Sequence, residues 1–182
     1  MKRDPTDTAE QPGPHGRAAD EAYTAYVSAK VPWLRRVAYL LCEDWHRADD
    51  LVQTAITKLY VNWRRAARME NLDGYVRVIL VNTYLAEQRT SWWRRVVPLQ
   101  HPDEHEPAAA TEPADPDAAL DTMAALATLP PRQRAAIVLR HYCDLSVEET
   151  AEILGCSTGT IKSQTSRGLA TLRAALTTGA TR

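Results

Sequence analysis

The chain has 182 residues, 45% of them hydrophobic and 25% charged, which is the composition of a soluble globular protein of one or two domains. No run approaches the roughly 20 apolar residues of a membrane helix, and the polar, proline-containing N-terminus is not a secretory signal. Cys42, Cys143 and Cys156 stand far apart with no C-x-x-C pair, which argues against a disulfide scaffold or a cysteine-rich zinc site and fits a reducing cytoplasm.

The net charge of −1 conceals a pattern. Residues 1–30 carry four basic against five acidic residues, and residues 31–97 carry eleven against seven. Residues 98–121 carry seven acidic residues and no Lys or Arg, and residues 122–182 carry seven basic against four acidic. Two basic blocks flanking an acidic tether suggest two polyanion-binding modules.

Residues 1–19 are low in apolar side chains and carry Pro5, Pro12 and Pro14, so a disordered tail is expected. Val27, Val31, Leu34, Val37 and Leu41 then form a helical stripe that Pro32 is expected to kink or divide. Behind Asp44, a plausible N-cap, Val52, Ile56, Leu59 and Trp63 recur at helical spacing. A third helix is predicted from about Asp73, burying Val76, Ile79, Leu80 and Thr83. Residues 98–116, with Pro98, Pro102, Pro107, Pro113 and Pro116, read as an acidic, proline-rich flexible linker.

Leu120, Met123 and Ala127 mark the next helix. Pro130-Pro131 breaks it and opens another, which Ile137, Leu139 and Tyr142 continue. Ser146 and Glu149 are spaced as a capping box before Ala151, Ile153 and Leu154, and Gly155 stops that helix. A last helix follows Ser157, with Ile161, Leu169, Leu172 and Leu176 on its buried side. No window alternates long enough to suggest a sheet. The fold class is therefore all-α: two small helical domains, 20–97 and 117–178, joined by the linker and only loosely related in space.

Residues 147–176 read as a helix-turn-helix. Its second helix opens with Thr160, Lys162, Ser163, Gln164, Ser166 and Arg167, side chains suited to base edges and phosphates in a major groove. In the first domain, Trp63, Arg64, Arg65, Arg68, Tyr75, Arg77, Tyr84, Arg89 and Trp92 to Arg95 interleave aromatics with arginines, a pattern suited to unpaired DNA. Asp49 and Asp50 are adjacent on a helix and diverge by about 100°, so they do not converge on a metal, and a docking patch is the better reading. His101 and His105 beside Asp103 and Glu104 read as solvated linker charge. No catalytic or metal constellation is present in the sequence, and no cofactor is called for.

Ala48 to Gln53 (ADDLVQ), Leu80 to Thr83 (LVNT), Leu129 to Arg134 (LPPRQR), Leu145 to Gly155 (LSVEETAEILG) and Gly159 to Ser163 (GTIKS), in this order, resemble bacterial sigma factors of the extracytoplasmic-function type, in particular an actinobacterial subgroup. The resemblance covers all but tail and linker. It implies a cytoplasmic initiation factor, not an enzyme, that partners core RNA polymerase and promoter DNA, in a family where anti-sigma factors are common. Asp50, Leu51 and Gln53 would dock on the polymerase. Arg68, Asn71, Tyr75, Arg77 and Asn82 would hold the opened −10 element. Thr160, Lys162, Ser163, Gln164, Ser166 and Arg167 would read the −35 element. Asp103, Glu104, Glu106, Glu112 and Asp115 would thread a nucleic-acid channel. Thr54, Ile56 and Gln164 depart from the family pattern, which carries an acidic residue, Phe and Arg there. The competing reading is a free-standing helix-turn-helix regulator.

Overall fold

The computed structural model describes the backbone of residues 15–96 and 116–179 and the side chains of 15–89 and 122–177. Residues 98–115 of the expected linker, and the side chains of Trp92 to Arg95, lie outside the described residues, while Pro116, expected in the linker, is the first residue of a helix. Among those described every regular element is helical: α1 (Arg17–Cys42), α2 (Trp45–Val61), α3 (Trp63–Ala66), α4 (Leu72–Val96), α5 (Pro116–Ala127), α6 (Pro131–Ile137), a π-helical turn (Val138–Tyr142), α7 (Val147–Leu154) and α8 (Thr158–Gly179). None is long and apolar enough to cross a membrane.

Helix α1 begins at Arg17, so the end of the stretch expected to be a tail is helical. It also runs unbroken through Pro32. Pro32 and Ser28, whose carbonyl loses its helical donor, are both exposed. Water can satisfy that carbonyl, so the helix need not divide there. Asp44 caps α2, accepting from the His46 and Arg47 amides at 2.8 and 3.0 Å. Leu51, Val52, Ala55 and Leu59 of α2 pack against Leu34, Val37, Ala38 and Leu41 of α1 and Val76, Leu80 and Tyr84 of α4. Tyr23 ties α1 to α2 by donating to the Ile56 carbonyl at 2.8 Å.

In the second half Pro131 opens α6, and the Ser146–Glu149 capping box forms in both directions, at 3.1 and 2.7 Å. Gly155 ends α7 in the left-handed region (φ 61°), where a side chain would be strained. The π-helical turn was not legible in the sequence. Arg140 bonds the Leu145 carbonyl across it. In α5 Ala125 and Leu126 are buried and Ala127 is exposed, one position off the expected stripe. Leu176 is 38% exposed rather than core, and Ile79 is half-buried.

The two halves are not loosely related. One buried cluster runs from Leu34 and Leu41 through Leu80 and Tyr84 to Val138, Leu139, Leu154 and Ile161. Arg134 of α6 seals the seam. It donates to the carbonyls of Leu41 (2.9 Å), Ala127 (2.8 Å) and Leu129 (3.2 Å) and stands 2.5 Å from the Glu43 carboxylate.

Candidate polymerase and promoter interface

Leu51 was expected at a docking face, but it is fully buried. Its place at one-turn intervals with Ala55 and Leu59 puts it on the core side of α2. Asp50 and Gln53 are exposed, and Thr57 and Val61 continue their stripe at i+3, i+7 and i+11. Val61 is 70% exposed, a large apolar side chain in water that the motif-based reading missed. Asp49 is engaged by Arg35, whose Nε and Nη2 reach its two oxygens at 2.5 and 3.0 Å. That pairing leaves Asp50 as the free carboxylate of the doublet.

At the start of α4, the Asn71 side chain accepts from the Gly74 amide at 2.7 Å, capping the helix. A Cβ at position 74 would stand 2.5 Å from Asn71 Nδ2, so a side chain there pushes the Asn71 side chain out of its capping position. Gly74→Ala is expected to displace this cap and cost about 0.5–2 kcal/mol, as is Asn71→Ala. Urea unfolding of both variants measures it.

Asp73 is held by Tyr26 (2.8 Å) and Lys30 (2.6 Å) of α1. Burial alone would raise the Asp73 pKa, but the Lys30 and Tyr26 hydrogen bonds outweigh it and hold it below the usual carboxylate range. A depressed folded pKa contributes stability above the unfolded value that is lost as pH falls through the folded one. Asp73→Asn is therefore expected to flatten the acid limb of the stability–pH curve below about pH 4. An unchanged acid limb in denaturant melts across that range would show that Asp73 carries no such linkage. Arg77 donates from Nε to the Asp73 carbonyl and lies over the Trp33 ring at 5.8 Å. Tyr26, Lys30 and Trp33 thus support the −10 candidates, although nothing in their local sequence marks them.

Arg68 and Asn71 are exposed, and Tyr75 and Arg77 are half-buried. Asn82 shares the Tyr75 face of α4 two turns on, about 10 Å away. It lines a different groove, with Leu85, Pro131 and Leu154. Trp63 and Tyr84 are core at 4% and 0% exposure, so they cannot stack on bases.

On α8, Lys162, Ser163, Ser166 and Arg167 are exposed on one side while Ile161 is buried on the other. Thr160 is turned back to Ser157, with 2.9 Å between the hydroxyls. Gln164 is half-buried, and its Oε1 is enclosed without a hydrogen-bond partner. A cationic, hydroxyl-rich helix face behind a capped short helix is the geometry of a major-groove reader.

The sigma-70 region 2 family matches residues 26–94, and the sigma-70 region 4 family matches residues 119–172. The RNA polymerase sigma-E factor of Streptomyces avermitilis is 38% identical over 162 residues, covering 87% of this chain and 86% of that one. That of Streptomyces antibioticus is 42% identical over 134 residues, covering 72% and 71%. The chain belongs to the extracytoplasmic-function sigma factors. Among solved structures it is similar to the sigma factor RpoE of Bartonella quintana, solved in complex with the anti-sigma factor NepR. The TM-score is 0.66 at 28% identity, covering 86% of this chain and 98% of that one. CnrH, solved with the cytosolic domain of CnrY, shares the fold at TM-score 0.58 and 18% identity. As a sigma factor the chain binds core RNA polymerase and directs promoter-specific initiation. The free-standing regulator is not favoured, because region 2 precedes the helix-turn-helix.

Proposed function

We propose that region 2 docks on core polymerase through the Asp50–Gln53–Thr57–Val61 stripe of α2 and holds the opened −10 element with Arg68, Asn71, Tyr75 and Arg77. Region 4 reads the −35 element through Lys162, Ser163, Ser166 and Arg167. Gln164 and Asn82 join them only if their surroundings rearrange, and Thr160 serves mainly to start α8. The observation that carries this reading is the exposed face of α8, which collects cations and hydroxyls and no carboxylate. The chain performs no catalysis itself, works in the cytoplasm with the polymerase, and is open to control by an anti-sigma factor.

The test is run-off transcription by polymerase reconstituted with this chain, together with binding to −35 duplexes at several salt concentrations. Lys162→Ala and Arg167→Ala are each expected to lower affinity and reduce the salt slope by about 1 where the lost contact is a phosphate. Unchanged affinity and slope for both would remove α8 from the −35 interface.

A further inference from the structure

At about 100° per residue, Lys162, Ser166, Ser163 and Arg167 follow one another around α8 over an arc of about 140°, and all four are exposed. Ile161 and Gly168 are buried on the opposite side. Helix α6 lies against that side, where a Cβ at position 168 would stand 3.1 Å from Ile137 Cγ1. Gln164 falls between the two surfaces, about 60° beyond Arg167 and about 40° short of Gly168, and is half-buried. In a major groove the middle of such an arc, here Ser163 and Ser166, faces the base edges, and its flanks face the sugar-phosphate walls. Gln164 stands on a flank.

The state of its amide narrows what Gln164 can do there. The oxygen Oε1 is enclosed and has no hydrogen-bond partner. The nitrogen Nε2 is not enclosed, and it has no partner among the described residues. A glutamine that reads adenine uses both atoms at once, accepting from N6 and donating to N7. With Oε1 sealed that bidentate contact is closed, and two N–H donors remain for an acceptor outside the protein. The acceptors that meet the flank of a groove-bound helix are phosphate oxygens. To read a base Gln164 would have to be drawn out of its seat, whereas to hold a phosphate nothing need move.

We propose that Gln164 is a positioning residue of the −35 complex: its amide nitrogen donates to a phosphate oxygen on one wall of the major groove, and it takes no part in the choice of base. The proposal rests on the −35 reading of α8 and deepens it. Gln164 then fixes the register of α8 on the duplex while its neighbours read. A neutral amide displaces no counterion, so this contact adds affinity without adding salt dependence, unlike a phosphate contact made by Lys or Arg.

The experiment measures binding of core polymerase carrying the full chain to a promoter duplex that it transcribes, at several salt concentrations, and to the same duplex with each −35 base pair changed in turn. Gln164→Ala is expected to bind every duplex about tenfold more weakly, the scale of one hydrogen bond to a charged group, with the parent's ranking of base pairs and the parent's salt slope. Gln164→Arg is expected to recover the affinity and to steepen the slope by about 1, because the same phosphate is then met by a charge. Urea unfolding should find Gln164→Ala no less stable than the parent, since it removes an enclosed acceptor that has no partner, so weaker binding is not loss of the fold. A loss confined to one base pair makes Gln164 a base reader and overturns the proposal. A salt slope that Gln164→Arg leaves unchanged puts no phosphate within its reach and overturns it too. Unchanged affinity in Gln164→Ala, with Lys162→Ala and Arg167→Ala both weakened, overturns it and leaves the −35 reading standing. Unchanged affinity in all three removes α8 from the −35 interface and the proposal with it.

Discussion

Leu51→Ala is expected to lower stability by about 2–5 kcal/mol, the range for truncating a fully buried leucine whose cavity does not collapse. Leu51 is 0% exposed and packs in the α1–α2–α4 core, so the loss falls on region 2 folding. Urea unfolding followed by circular dichroism measures it. Gln53→Ala, two residues on and exposed, is expected to shift stability by no more than about 0.5 kcal/mol while weakening core polymerase binding. If instead Leu51→Ala unfolds like the parent and loses polymerase affinity, α2 must present Leu51 outward and the core described above is wrong at that point.

Arg134→Met has the second large effect. It leaves three carbonyls short of a donor and the Glu43 carboxylate without its cation, and breaking one side of a buried pair costs about 3–5 kcal/mol. Burial pushes the Glu43 pKa up, and Arg134 pulls it back. For a carboxylate raised on folding, the favourable contribution is present below the ordinary pKa and is lost as pH rises through the folded one. The Arg134→Met penalty should therefore be larger at pH 7 than at pH 4, where Glu43 takes a proton. Adding Glu43→Gln to Arg134→Met should recover part of the loss at pH 7, because no charge is then buried alone. A penalty that is independent of pH and unrelieved by the second substitution would assign the effect to the lost carbonyl bonds.

The local grammar of the fold was open to reading. Asp44, Pro131, the Ser146–Glu149 pair and Gly155 each satisfy or terminate a helix end using neighbours within four residues. Sequence order is enough to find such devices. The errors have equally physical origins. Leu51 sits inside a recognised polar motif, and only its periodicity with Ala55 and Leu59 shows that it faces inward. Pro32 breaks a helix in principle but spares one whose affected carbonyl faces water. Gln164 lies within a run of exposed residues, and its half-burial depends on packing that the run does not encode. The Glu43–Arg134 pair joins residues 91 apart. Without it nothing local distinguishes two tethered domains from one packed body. For the candidate site, the exposed ends of Arg68, Lys162, Ser163, Ser166 and Arg167 were legible, while the Tyr26–Lys30–Trp33 support was not.

The seam between the halves also has a consequence for how strong it must be. Nineteen residues separate Val96 from Pro116. Stretched fully, they and the bonds at each end span about 65–70 Å. A tether of that order presents one half to the other at an effective concentration in the millimolar range. At such a concentration even a contact too weak to hold two separate molecules together is closed for much of the time, and the shared core of this seam is stronger than that. The same nineteen residues, drawn out, add to the widths of regions 2 and 4 to reach across the roughly 85 Å between promoter elements. Shortening the tether should therefore favour the closed chain twice over, by raising the local concentration of one half at the other and by taking the −35 element out of reach.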